Sequence, residues 1–400
     1  MSSAIDDLLA KYTLQPHEAD ASGKLLGASF TVVEKQNVSY TGGSGRQNFP
    51  QTAVPWTVRS FSWIASMTKL VTTTCLLHLV EQGKVELDVD VRHLVPRLGK
   101  MQILKGFEND GTPKLEDNSN AITLRMLLTH TVGLGYDLAD PDLTRWSRHI
   151  GRKDTNLDWS LDGFDTPFKF APGEGWYYGT AVDWAGQLLE ALTGNTIEAY
   201  MQDHVLDPLK MRDTGFWPGK LDHVQDRAVA WSCRGDDKTS LSPGPKLTPT
   251  THGIVSGGAG LYSTADDYGR FLQGLLSGAL VSETTLREMF TPQLDVRQSD
   301  MLNAIASQFH DMFAPEFPTD MRLDHGLGGI INMADVDGKR RKGSLSWCGM
   351  CNGRWWIDRE AGVAAVLVVN VLPLGDPVVN KLFDELERAV YGGLLHAKRS

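Results

Sequence analysis

Ser66-Met67-Thr68-Lys69, followed by Leu70-Val71-Thr72-Thr73-Thr74-Cys75-Leu76-Leu77, is the stretch on which the fold turns. Residues three apart in a helix lie one turn from each other on one face, so Lys69 reaches the Ser66 hydroxyl. The apolar run behind the tetrad predicts a buried helix from Ala65 to about Gln82, ended by Gly83. That places Lys69 inside the protein. Burial strips solvent from an ammonium group and lowers its pKa, so a neutral Lys69 amine is expected to take the serine proton. A free backbone N–H near the helix start would stabilise a developing oxyanion. The same tetrad also describes an N-cap serine followed by a surface lysine, so the rest of the chain must decide.

Upstream, a short amphipathic helix is expected at Ile5–Tyr12. Ala28–Val33 and Asn37–Thr41 alternate as a hairpin that closes into the Gly-rich stretch Gly42–Gly45. Downstream the chain reads as mostly helical, with Thr123–Leu128, Ala181–Leu192 and Thr264–Leu276 as the clearest examples. The last quarter changes character. Gly329–Met333, Gly343–Trp347, Trp355–Ile357 and Val363–Val371 are strand-like, and Asp376–Leu395 is an amphipathic helix. This is an antiparallel meander capped by a helix. The N-terminal hairpin has the same character, so both chain ends are expected in one sheet.

Three further segments carry a resemblance. Leu127-Leu128-Thr129-His130-Thr131-Val132-Gly133-Leu134, Pro172-Gly173-Glu174-Gly175-Trp176-Tyr177-Tyr178-Gly179-Thr180 and Asp207-Pro208-Leu209-Lys210-Met211 stand in order behind the tetrad. With it, they resemble the penicillin-binding-protein-like serine hydrolases. That group spans class C β-lactamases, family VIII carboxylesterases and the fungal acyltransferases of the lovastatin pathway. The likeness runs from about Gly27 to the final helix. It implies an α+β fold of β-lactamase/penicillin-binding-protein type, an antiparallel sheet flanked by N- and C-terminal helices plus a mostly helical domain. Residues 1–60 and 255–400 would form the sheet domain and 61–254 the helical one, with the active site at their interface.

The resemblance also implies roles. Ser66 is the nucleophile, Lys69 its activating partner and Tyr178 the base that later protonates the leaving group. Tyr178 is preferred over Tyr177 by its spacing from Trp176. Thr180 stands where the family has asparagine, which weakens a lactam-binding role. Lys238-Thr239-Ser240 imitates the lactamase Lys-Thr-Gly motif but lies in a polar, Pro-rich loop. The strand position belongs instead to Trp347-Cys348-Gly349, similar to the Trp-x-Gly of the esterases. The backbone N–H groups of Ser66 and Met350 are then the expected oxyanion hole, and Trp63, Thr180, Trp347 and Gly349 the expected substrate contacts. Esters or thioesters of a bulky secondary-metabolite-like compound are favoured over β-lactams, with the acyl group passing to water or an alcohol. A β-lactamase or D-alanyl peptidase, and a catalytically dead binding protein of the same fold, are the alternatives.

Bulk properties agree with an enzyme acting on small molecules. The chain has 400 residues, 41% hydrophobic and 22% charged, and a formal net charge of −10. An acidic protein is poorly suited to nucleic acid or anionic membranes. Met1–Asp7 lacks a basic, apolar leader, so a cytoplasmic location is expected. Four scattered cysteines make no disulfide framework. No cofactor or metal is expected: Cys348-Gly349-Met350-Cys351 imitates a redox motif but is followed by turn and strand residues rather than a helix. No Gly-x-Ser-x-Gly elbow offers a rival triad through His130. Lys339-Arg340-Arg341-Lys342 reads as a solvated hairpin, with docking of an acidic acyl-carrier domain as the sharper option.

Overall fold

Apolar residues from both ends of the chain meet in one seven-stranded sheet. Its strands are β1 (Gly27–Glu34), β2 (Val38–Gly45), β3 (Leu323–His325), β4 (Ile330–Asn332), β5 (Leu345–Cys348), β6 (Arg354–Asp358) and β7 (Val363–Val368). Their spatial order is β2-β1-β7-β6-β5-β4-β3, and every pairing is antiparallel. The chain ends join at β1 and β7, in register from Ser29 opposite Val368 to Glu34 opposite Val363. The computed structural model describes residues 2–397. Met1, the first residue of the Met1–Asp7 segment, lies outside them.

Both faces of the sheet are covered, which is why its central strands are apolar throughout. Successive strand residues point to opposite faces. Val32 and Leu367 therefore join Ile5, Leu9, Leu382 and Phe383 in one core, beneath helices α1 (Ser2–Tyr12) and the C-terminal helix. Val33 and Val366 face the other core, with the buried helix α2 (Thr68–Glu81), α3 (Ala181–Thr193) and α4 (Ala265–Ser277). Helix α5 (Val296–Gln308) lies farther along, opened by a capping box between Asp295 and Gln298. The C-terminal helix is α6 (Pro377–Ala397).

The structure departs from the expectations in four places. Helix α2 does not begin at Ala65. That residue has φ of +47°, which ends any right-handed helix there, and a 3-10 turn over Ala65–Met67 precedes α2. Gly42–Gly45 is not a closing loop but the end of β2. A Cβ on Gly43 would meet the Thr57 backbone at 2.9 Å, so the bare backbone lets the returning chain lie over the strand. The middle region contains hairpins besides helices, Gln102–Phe107 with Pro113–Asp117 and Ser232–Arg234 with Leu241–Pro243. Lys238 sits at the tip of the second.

The basic run is the fourth departure. Lys339 and Arg340 are buried, while Arg341 and Lys342 are exposed. Arg340 makes a bidentate pair with Glu387 of α6, at 2.7 and 2.9 Å. Lys339 bonds Asp384 at 3.0 Å on the same helix. Half of the run is thus internal ionic structure, because its counter-charges lie on a helix that packs against it.

Candidate active site

The site begins at a strained turn. Ser62–Trp63 pairs with Tyr262–Ser263, and the Ile64 N–H donates to Leu261 at 3.1 Å. The chain then reverses through Ala65. A left-handed backbone at a residue with a Cβ costs about 1–2 kcal/mol, and packing holds it here. Thr68 Oγ1 donates to the Ala65 carbonyl at 2.6 Å and accepts from Leu261 N at 3.1 Å. Tyr268 OH donates to the Met67 carbonyl at 2.9 Å. The turn leaves Ser66 partly exposed at the head of α2, with Lys69 one turn on and 2% exposed.

All three Lys69 donors are used. Its Nζ lies 3.2 Å from Ser66 Oγ, 3.0 Å from Tyr136 OH and 2.9 Å from the Gly258 carbonyl. Burial works against its charge, as expected. Tyr136, Tyr178 and Asp183 more than offset that and hold its pKa above the ordinary lysine value. This direction is opposite to the lowering expected from burial alone.

Tyr177 and Tyr178 point different ways. Tyr177 OH donates to Asp140 at 2.5 Å. The Tyr178 ring lies 4.8 Å from Lys69 Nζ, and its hydroxyl accepts from the Trp347 indole N–H at 3.1 Å. Around Tyr178 stand the rings of His130 at 4.8 Å, Tyr136 at 5.5 Å and Phe313 at 5.8 Å. His130 is buried with φ of +59°, and burial keeps it well below the usual histidine pKa. It packs as a neutral ring against the tyrosine.

Strand β5 brings its end to the nucleophile turn. A Cβ on Gly349 would fall 2.4 Å from the Ile64 carbonyl oxygen, so only glycine allows this approach. Gly349 N donates to Gly353 and Asn352 N to Gly349, both at 2.8 Å, which closes a tight turn around the exposed Met350. Among the described residues, neither the Ser66 nor the Met350 amide donates a hydrogen bond. Asn352, fully buried at φ of +66°, ties the turn to Val371 and Pro373 through its side-chain amide.

Other expected contacts are less open. Trp63 is buried, hydrogen-bonded to the Ala259 carbonyl and stacked on Trp231 with ring centroids 5.4 Å apart. Thr180 is fully buried at the head of α3. Cys348 and Cys351 are both buried free thiols. Burial pushes Cys348 up to about 11 and Cys351 higher still, the reverse of what a redox pair needs. Among the described residues no cluster of three or more His, Cys, Asp or Glu side chains is placed to hold a metal. No helix among them is long and apolar enough to cross a membrane.

Sequence patterns did not single out Tyr136, Asp183 and Gly258. Tyr136 and Gly258 meet Lys69 across 67 and 189 residues, and no local spacing reports such pairs. The one hint was the Gly133-Leu134-Gly135 stretch, where Gly133 packs against Phe170 and Gly135 against the Tyr177 ring.

Comparison with known proteins follows the same lines. The family model described as Beta-lactamase matches residues 5–387. Lovastatin esterase of Penicillium rubens is 29% identical over 92% of this chain and 95% of its own. Monacolin J acid methylbutanoyltransferase of Aspergillus terreus is 34% identical over 82% of this chain and 81% of its own. The solved structure of simvastatin synthase from Aspergillus terreus superposes with a TM-score of 0.89 at 29% identity, covering 98% of each chain. This chain belongs to the β-lactamase family, among its acyltransferases and esterases, and is an enzyme of serine acyl transfer.

Proposed function

We propose that the enzyme forms an acyl-Ser66 intermediate from a carboxylic ester or thioester and passes the acyl group to an alcohol or to water. The observation that carries this reading is the bonding of Lys69, whose ammonium spans Ser66 Oγ, Tyr136 OH and the Gly258 carbonyl. Ser66 Oγ attacks the donor carbonyl and its proton passes to the Tyr178 oxygen. The Trp347 N–H donates to that oxygen and Lys69 Nζ lies 4.8 Å from the ring, so a donor and a cation flank the group that takes the proton. Trp347 thus acts through Tyr178 rather than as an open wall of the cleft. Tyr136 fixes the Lys69 head group.

The oxyanion of the tetrahedral intermediate is held by the Ser66 and Met350 amides, whose freedom from other partners supports the assignment. Tyr178 returns the proton to the leaving alcohol or thiol. An acceptor alcohol or water then repeats the sequence in reverse. The site lies between the sheet domain of residues 1–60 and 255–400 and the helical domain of 61–254, a division we adopt as part of the proposal.

Substrates are esters of a bulky, apolar secondary metabolite, by analogy with the lovastatin esterase and the monacolin J acid methylbutanoyltransferase. A small-molecule donor fits best. A carrier-borne donor would have only Arg341 and Lys342 of the basic run to dock on, since Lys339 and Arg340 are inside. Four free cysteines suit a reducing compartment, and a cytoplasmic setting belongs to the same proposal. A lactamase role lacks its strand lysine, because Trp347 stands on that strand with Gly349 just past its end.

The test is a mass-spectrometric assay with ester and thioester donors, with and without alcohol acceptors. Acid as the product without acceptor, and new ester with it, is the expected partition. Rapid turnover of a chromogenic cephalosporin with none of the esters accepted would overturn the proposal.

A further inference from the structure

One buried carboxylate near the nucleophile takes no part in the chemistry above. Asp183 lies in the first turn of α3 and is 2% exposed. Its Oδ1 accepts from Ser256 Oγ at 2.5 Å and from Gly258 N at 2.9 Å. Ser256 Oγ in turn accepts from Ala259 N at 2.9 Å. Thr72 Oγ1 of α2 donates to the Gly257 carbonyl at 2.7 Å. A Cβ on Gly258 would stand 2.4 Å from Asp183 Oδ2, so the chain passes directly over the carboxylate. Residues 256–259 are thus clamped between α3 and α2, and the Gly258 carbonyl is presented to Lys69.

Charge points the same way. Lys69 is a buried cation with no carboxylate in direct contact; its hydrogen bonds end on a hydroxyl, a phenol and a carbonyl. Ser66, Tyr136 and the Gly258 carbonyl bond it, the Tyr178 ring lies 4.8 Å away, and Asp183 is linked to it through Gly258, whose N–H it accepts. His130 and Cys348 are the other titratable groups that feel its charge. Asp183 is the carboxylate in that set. A buried charge is tolerated when an opposite charge lies close in the same low-dielectric region.

We infer that Asp183 is a positioning residue for the Ser66–Lys69 pair, supplying the counter-charge to Lys69 and clamping the carbonyl that orients it. This rests on the assignment of Ser66 and Lys69 made above. Asp183 touches no reacting atom. It holds the Lys69 head group in place beside Ser66 and the Tyr178 ring. A purely structural rival exists, because a carboxylate in a first helical turn also offsets the helix dipole and anchors a loop.

The pH profile separates the two. Asp183→Asn keeps an oxygen acceptor and the shape but removes the charge. Lys69 then gives up its proton more readily, so the alkaline limb of kcat/KM moves to lower pH, by about one unit. With a short-chain nitrophenyl ester, kcat falls about tenfold or more while KM stays within about twofold, as when transition-state stabilisation is lost. Asp183→Glu, which restores the charge, returns the limb to its wild-type position. Ser256→Ala loosens the clamp and keeps the charge, so it lowers kcat with the limb unmoved.

Wild-type kcat and an unmoved limb in Asp183→Asn would overturn the inference. So would activity that falls only in step with the folded fraction. Full turnover by Ser66→Ala would instead remove the assignment on which it rests, a separate outcome in the same assay.

Discussion

Ala65 and His130 adopt left-handed backbones without being glycine, and both border the site: one precedes Ser66 and the other packs against Tyr178. Such strain persists where surrounding contacts over-determine the conformation, and it clusters at functional positions. The Ser66–Lys69 pairing follows from a one-turn spacing and Tyr178 from the family resemblance, and the structure brings the three together. Tyr136 was not legible in the sequence, since its bond to Lys69 closes a 67-residue separation. The two tyrosines make different predictions. Tyr178→Phe removes the atom that carries the proton, and kcat for ester turnover should fall by about a hundredfold or more. Tyr136→Phe removes one of three Lys69 contacts, so its loss should be clearly smaller. Steady-state kinetics of the two variants decide the assignment, and a larger loss in Tyr136→Phe would exchange their roles. Burial alone predicts a lowered lysine pKa, and the opposite direction found here escaped the sequence for the same reason as Tyr136. Desolvation can be read from an apolar run, but the phenols and carboxylate that oppose it arrive from distant segments.

Elements were legible where one face of a period met one core. Strands β1 and β7 and helices α1 and α6 follow their apolar patterns closely, and Thr264 caps α4 through the Asp267 amide as its residue type favours. The basic run was misread at this scale. Four charged residues in a row look solvated, yet Arg340 is fully buried against Glu387, which lies 47 residues later on α6. Arg354 of β6 joins through Glu316 at 3.2 Å, so the network ties sheet, loop and helix. Burying the pair costs desolvation that its Coulomb attraction barely repays, whereas breaking it strands a charge. Glu387→Gln should therefore destabilise the fold by about 3 kcal/mol, and chemical denaturation measures it. Stability unchanged within error would show that Arg340 finds compensation elsewhere.

Across the whole molecule, the two chain ends close one sheet, and the residues between them supply the nucleophile helix, both tyrosines and the Gly258 carbonyl. That arrangement was anticipated from the shared strand character of the first 45 and last 80 or so residues. Helix α5 and the turn after it were not, although Phe313 beyond that helix reaches the rings of Tyr178 and Trp347. Their pattern is amphipathic only against a partner surface built from far-off segments. The site is thus a product of long-range closure around a short local motif, and the account stands or falls on what Ser66 carries during turnover. The direct measurement is rapid quenching with an activated ester, followed by intact-mass and peptide mapping. The account predicts a gain of one acyl group, on the peptide containing Ser66, and no adduct or turnover in Ser66→Ala. Turnover undiminished in Ser66→Ala, or an acyl group on any other residue, would contradict it.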